Sequence, residues 1–272
     1  MGSHRELQEA TTANYGPTQV SGVHQSPTQP APYLDDVPSV SLVGSVPIEE
    51  LTAFFQPVVA LRTGKTFAFE ALPYCGAEGL TDRTELFARA AFEKKVGELG
   101  RVVRGVAFAE CPSIPVFVGV HPHELKESWL IRPDDPLCGH DAEVFLQVSQ
   151  LSYSPTCLHV LTEVSSRSGI ALVLDDFGGA ASSLLQAIQL NPAFVKLEVE
   201  LVQGIDRAPR KRTVVESIVP MCKKLGAQVI AKGIATEAEL HTLLECGVAY
   251  GQGSLLGEPS ELPCISAWRA SR

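Results

Sequence analysis

The sequence predicts an α/β fold whose parallel strands close into a (β/α)8-type barrel. Three observations predict it. Strand-like apolar blocks alternate with amphipathic helices along most of the chain, the signature of a parallel sheet. Polar or charged residues stand at the ends of many of those strands: Glu70, Gln147, Asp175, Asp176, Lys196, Glu198, Lys232 and Gln252. No glycine-rich phosphate loop follows the first strand, which argues against an open nucleotide-binding sheet. A barrel gathers every strand end around one mouth, where active sites of this architecture lie.

The elements follow in order. Residues 1–45 are rich in Ser, Thr, Pro, Gln and Gly, and read as a disordered or docking tail, because so few apolar side chains cannot offset ordering entropy. The barrel domain is expected over 46–272. FFQPVVAL (54–61) and TFAFEAL (66–72) read as strands joined by a turn at Gly64. One helix is expected over about 82–99, with Leu86, Ala90, Phe92 and Val96 on its apolar side. Strands at 114–120 and 143–149, a helix at 154–168 and the strand IALVLDD (170–176) come next. A helix at 180–190, a strand at 194–198 and a helix at 211–225 follow, the last ending where Gly226 suits a C′ position. The strand 227–233, a helix at 236–246 that Thr236 can cap, and VAYGQG (248–253) complete the series.

Composition narrows the function. The chain has 272 residues, 45% of them hydrophobic, and a formal net charge of −9. An acidic chain carries no general footprint for nucleic acid or an anionic membrane. The basic run from Arg207 to Arg212 reads as a solvated loop before a helix. Seven cysteines without a CxxC pair fit reduced thiols in a cytoplasmic protein. No apolar run is long enough to span a bilayer, and no apolar h-region marks a secretory signal. His121 and His123 read as surface-loop histidines, because Pro122 between them breaks a ligating geometry. Cys75 reads as a buried thiol, and Ser182-Ser183 as a helix-start pair outside any GxSxG elbow.

Adjacent acids at a strand end, here Asp175-Asp176, suit divalent-cation ligation. Alone, they equally suit a helix-capping turn. The wider pattern is FEAL (69–72), VLDDFGGAASSL (173–184), FVKLE (194–198), VIAKGIATEAEL (229–240) and YGQGSLLGEP (250–259), in fixed order. It resembles the EAL domain family of cyclic di-GMP phosphodiesterases, over about residues 48–262. The resemblance implies a modified (β/α)8 barrel with an antiparallel first strand. It also implies a two-metal site that activates water on a phosphodiester.

Transferred residue by residue, the resemblance gives a changed site. The signature glutamate is Glu70, both aspartates are kept as Asp175 and Asp176, the lysine is Lys196 and the glutamine is Gln252. A metal-binding asparagine falls on Gly119. Glutamates fall on Gln147 and Gln150, an aspartate becomes Glu198, and a metal-binding glutamate becomes Lys232 with Ala235 beyond it. Six carboxylates and one lysine in the family pattern give a formal −5. Here Glu70, Asp175, Asp176 and Glu198 against Lys196 and Lys232 give −2. The phosphate-binding arginine position is Tyr74, the acid near guanine is Ala193, and an aromatic and an arginine become Leu256 and Glu258.

These changes imply a catalytically inactive member with no catalytic residue, no metal and no cofactor. Its partner would be another signalling or regulatory protein, with a homodimer left open. The altered pocket argues against cyclic di-GMP binding. Two alternatives stand: a non-hydrolysing cyclic di-GMP receptor that keeps Glu70, Gln56 and Gln252 as ligand contacts, with Gln56, Leu72 and Tyr74 the candidate nucleotide contacts, or an active phosphodiesterase with an unusual site. Lys232 is expected to act as counter-ion to Asp175, Asp176 or Glu70.

Overall fold

The computed structural model describes residues 42–126, 130, 132–149, 155–168, 170–178, 183–266 and 268. The first described element lies inside the expected tail. Strands β1 (Leu42–Val43) and β2 (Val46–Pro47) form a small hairpin turning at Gly44.

The barrel begins with β3 (Leu51–Ala60) and β4 (Lys65–Cys75), an antiparallel pair. Six further strands follow: β5 (Val116–Val120), β6 (Val144–Val148), β7 (Ala171–Phe177), β8 (Phe194–Leu197), β9 (Gln228–Ala231) and β10 (Tyr250–Gly251). They close in the order β10-β3-β4-β5-β6-β7-β8-β9. Strand β3 is antiparallel to both neighbours, and the remaining pairs are parallel. The barrel class and its reversed first strand are therefore as the motifs implied.

The helices are α1 (Arg83–Phe92), α2 (Val96–Glu110), α3 (Pro155–Ser168), α4 (Ser183–Leu190), α5 (Val199–Val202), α6 (Pro209–Lys224) and α7 (Glu237–Glu245). The helix expected over 82–99 is two. Lys94 takes a left-handed conformation (φ 57°), and the Lys95 N–H bonds back to the Ala90 carbonyl. This closes α1 in the manner of a C′ cap, and α2 restarts at once and runs well beyond residue 99. Phe92, expected on the apolar side with Leu86, Ala90 and Val96, is instead 85% exposed, because the left-handed turn re-aims the chain before Val96 resumes a buried face. Thr236 and Glu239 form the capping box that starts α7.

The barrel interior explains the site's placement. Its floor is one buried cluster of Val58, Ala68, Phe117, Phe145, Val173, Phe194, Ile230 and Tyr250. The rings of Phe117, Phe145 and Phe194 pack with centroids 4.5 to 5.8 Å apart. Side chains on one face of a strand repeat every two residues. Two residues on from the floor, toward the mouth, stand Glu70, Gly119, Gln147, Asp175, Lys196, Lys232 and Gln252. On antiparallel β3 the same step runs backward, from Val58 to Gln56. The greasy floor thus fixes a single polar layer above it.

Candidate functional site

The polar layer is organised as two ion-paired centres. At the first, Glu70 is buried on β4. Its Oε2 lies 2.9 Å from Lys196 Nζ and accepts from Gln252 Nε2 at 2.5 Å. Its Oε1 accepts from Gln147 Nε2 at 2.8 Å. Lys196 also donates to Gln147 Oε1 at 2.5 Å, and its ammonium lies 5.3 Å from the centre of the Phe117 ring. Burial would raise the Glu70 pKa, but the Lys196 charge and the three donors outweigh it and hold the carboxyl at about 2. Gln56, directly opposite Glu70 in the β3–β4 register, accepts from Gln252 Nε2 and donates to the Gly257 carbonyl, each at 3.1 Å. Gln252 Oε1 is buried and has no hydrogen-bond partner among the described residues.

At the second centre, Lys232 Nζ lies 2.6 Å from Asp175 Oδ1 and also bonds Asp176 Oδ1. Lys232 follows the last residue of β9, so its long side chain leans over the mouth. Burial works against its charge, yet the two aspartates raise its pKa above the ordinary value. The β7–β8 register shifts between Leu174 and Phe177, and Asp176 has φ 55°. This irregularity lets two consecutive acids meet one ammonium, instead of pointing to opposite faces as in a regular strand. Glu198 stands nearby at the start of α5. Burial, a hydrogen bond with Glu200 and the Asp176 charge raise its pKa against the pull of Lys232. Lys232 therefore serves Asp175 and Asp176, whereas Glu70 takes Lys196.

The remaining predicted residues lie apart from these pairs. Gly119 on β5 reaches the mouth, and a Cβ there would meet nothing within 4 Å. Leu72 and Tyr74 continue β4 above Glu70, and the Tyr74 ring meets Phe54 edge-on at 5.3 Å. Gln150 and Ser182 lie outside the described residues. A cleft of about 210 Å³ opens beside Gly119, walled by Pro73, Arg83, Phe87, Val103, His121 and Gln147. His121 is not a simple surface histidine. It is half-buried and stacks on Phe87 with ring centres 5.5 Å apart and planes 3° from parallel. The His123 ring stands edge-on to it at 5.2 Å, and the His123 N–H donates to His121 Nδ1 at 3.2 Å.

Behind this cleft sits a buried cluster that the sequence reading missed. Arg104 is 1% exposed. It forks onto Asp135 through Nε (3.1 Å) and Nη2 (2.7 Å), and reaches Glu124 through Nη1 at 2.7 Å. Burial opposes its charge, and the two carboxylates overcome that and raise its pKa. Glu124 also accepts the His121 N–H at 2.9 Å. A Cβ on Gly100 would fall 2.1 Å from Glu124 Oε2, so glycine there lets the carboxylate lie on α2. The available signal was a charge on a helix face otherwise made of Val96, Gly100, Ala107 and Phe108.

A family-implied pair of divalent ions would draw on Glu70, Asp175, Asp176 and Glu198. These donors fit poorly. Among the described residues, no group of three or more His, Cys, Asp or Glu side chains is arranged to hold a metal. Each of the first three carboxylates is already bonded to an ammonium. At 4 Å two like unit charges repel by roughly 4 kcal/mol at an effective dielectric near 20, and a divalent ion doubles this.

The EAL domain family model matches residues 45–259. The chain is 26% identical over 254 residues to the cyclic di-GMP phosphodiesterase RocR of Pseudomonas aeruginosa, covering 82% of this chain and 61% of RocR. It is 29% identical over 103 residues to the blue light- and temperature-regulated antirepressor BluF of Escherichia coli, covering 37% of this chain and 25% of BluF. The chain thus spans less than two thirds of either relative. The FimX EAL domain of Xanthomonas citri, solved in complex with c-diGMP, has a TM-score of 0.69 at 18% identity. That match covers 82% of this chain and 92% of that one, and it speaks for the fold.

Proposed function

The chain belongs to the EAL domain family, and we propose that it is a non-catalytic member that signals through protein contacts. One observation carries the reading. Lys232 stands where the family resemblance puts a metal-binding glutamate, and its ammonium is bonded to both aspartates of the DDFG motif. A lysine there removes one oxygen ligand and supplies the charge that a cation would supply. Gly119 and Gln147 subtract two more ligands of the implied set. One matched relative is named as an antirepressor. On this reading the protein works in the cytoplasm, and its partner is a signalling or regulatory protein.

The test is turnover of cyclic di-GMP with Mg²⁺ or Mn²⁺ at high enzyme concentration. No linear dinucleotide is expected, and steady production of it would end the proposal. A second reading, a receptor that binds without hydrolysis, is favoured by Gln252 Oε1, a buried acceptor that a ligand donor could satisfy. Calorimetric titration with the dinucleotide separates the two: heat of binding with micromolar affinity selects the receptor.

A further inference from the structure

We propose that Glu124 is the latch of a movable cleft wall: bound to Arg104 it holds the turn 121–126 against α2 and keeps the cleft narrow, and on release the turn carries His121 away and the cleft widens. The closed cleft, about 210 Å³, is smaller than ordinary small-molecule pockets of roughly 300–1,000 Å³. A wall has to give before a ligand of that size enters. Gly100, Arg104 and His121 all line the cleft, so the latch and the wall it holds belong to one structure.

The turn is bonded chiefly to itself. The Glu124 and Lys126 N–H groups donate to the His121 and His123 carbonyls at 2.9 and 3.1 Å, the His123 N–H to His121 Nδ1, and the His121 N–H to Glu124 Oε1. Among the described residues, its one hydrogen bond to another element runs from Arg104 Nη1 to Glu124 Oε2. Leu125 is fully buried and pins the other end. The half that carries His121 therefore rests on this bond and on the stack with Phe87. Arg104 is the fixed part. Its fork holds Asp135, which also takes the Leu137 N–H at 3.1 Å. Beside it, Asp134 pairs at 2.6 Å with Arg101, one turn before Arg104 on α2. Glu124 is the moving part. Burial raises its pKa against the pull of Arg104, so holding it there as a carboxylate is costly. Gly100 leaves it a seat: a Cβ at that position would meet Oε2, Cδ and Oε1 at 2.1, 2.3 and 2.6 Å.

The experiment drives a wedge into that seat in the full chain. Gly100→Ala pushes the end of the Glu124 side chain off Arg104 and off the His121 N–H, and leaves the Asp135 fork in place. Amide hydrogen exchange followed by NMR should quicken about tenfold or more at His121 through local opening, with Leu137 and the barrel amide of Leu146 unchanged. The His121 ring protons should move away from the shifts set by the Phe87 face. An unchanged His121 amide, or a His121 ring that stays on Phe87, overturns the proposal. Equal quickening at His121, Leu137 and Leu146 also overturns it, because the wall then moves only when the whole barrel loosens. Should Gly100→Ala fail to fold, Glu124→Gln, which keeps the shape and drops the charge, is read by the same three amides.

Discussion

Lys196 and Glu70 stand on opposite walls of the barrel, four strands apart in the closed order, and their charged groups meet at 2.9 Å over the phenylalanine floor. The pair spans the bore, so it ties β4 to β8 where the resemblance implies a metal-bridged reaction centre. Burying two charges is costly unless every lone pair is engaged. Gln147 and Gln252 supply those remaining bonds.

Removing one partner should therefore cost much more than removing both. Lys196→Met leaves Glu70 buried without its counter-ion, and a loss of about 3–5 kcal/mol is expected. The double variant Glu70→Gln/Lys196→Met should recover most of it. Urea unfolding of the unaltered protein, Lys196→Met, Glu70→Gln and the double variant checks this, and additive losses would deny the coupling.

Acid stability should carry the mark of Glu70. Its folded pKa, about 2, lies below the ordinary 4.5, so the unfolded chain binds the proton more tightly. The contribution is fully present above pH 4.5 and is lost as pH falls toward 2. A shift of that size is worth about 3 kcal/mol. Glu70→Gln should flatten the stability profile across this window, and an unaltered slope would assign the acid loss elsewhere.

Lys232→Glu should not create an enzyme. It returns a carboxylate, but Gly119 and Gln147 remain without the ligands that the family pattern supplies. It also sets a third negative charge against Asp175 and Asp176, and a stability loss of about 1–3 kcal/mol is expected. Phosphodiesterase assays with Mg²⁺ and Mn²⁺ should stay at background. The combined variant Gly119→Asn/Gln147→Glu/Lys232→Glu should gain a metal-dependent rise in melting temperature that the single variant lacks.

Chelation is the complementary check. Prolonged EDTA treatment should leave the melting temperature of the unaltered protein within about 1 °C, because ammonium groups neutralise these acids. A fall of several degrees on chelation, reversed by Mg²⁺ or Mn²⁺, would show a bound ion contributing to stability.

The buried Arg104 centre predicts an unusual glycine effect. An exposed helical Gly→Ala change gains up to about 1 kcal/mol. At Gly100 the new methyl would meet Glu124 Oε2 at 2.1 Å, and overpacking costs about 1–3 kcal/mol. Gly100→Ala should therefore destabilise, and Arg104→Met should do so by about 3–5 kcal/mol because two carboxylates lose their cation. Thermal unfolding decides the sign.

The sequence by itself determined an α/β fold with a leading strand pair and polar residues at its strand ends, because strand and helix alternate along the chain. The reversed first strand and the place of Gly119 came with the motif resemblance, and the layer of Lys196 above Phe194 and Gln147 above Phe145 came with the structure. The sequence also determined that lysine stands where an acid is expected. The break between α1 and α2 was hidden, because Phe92 looks like part of the apolar stripe in the sequence and only the structure shows it exposed beside the left-handed Lys94. Only the tertiary structure decided the pairings. Which carboxylate meets which ammonium depends on the closure of the sheet, which sets Glu70 across from Lys196, and on the irregular end of β7, which turns Asp175 and Asp176 toward Lys232. The Arg104–Glu124–Asp135 centre is the same case. Its charge was visible on the helix face, but its two partners arrive from a loop whose path is fixed by packing against α2, and no spacing in the chain encodes that contact.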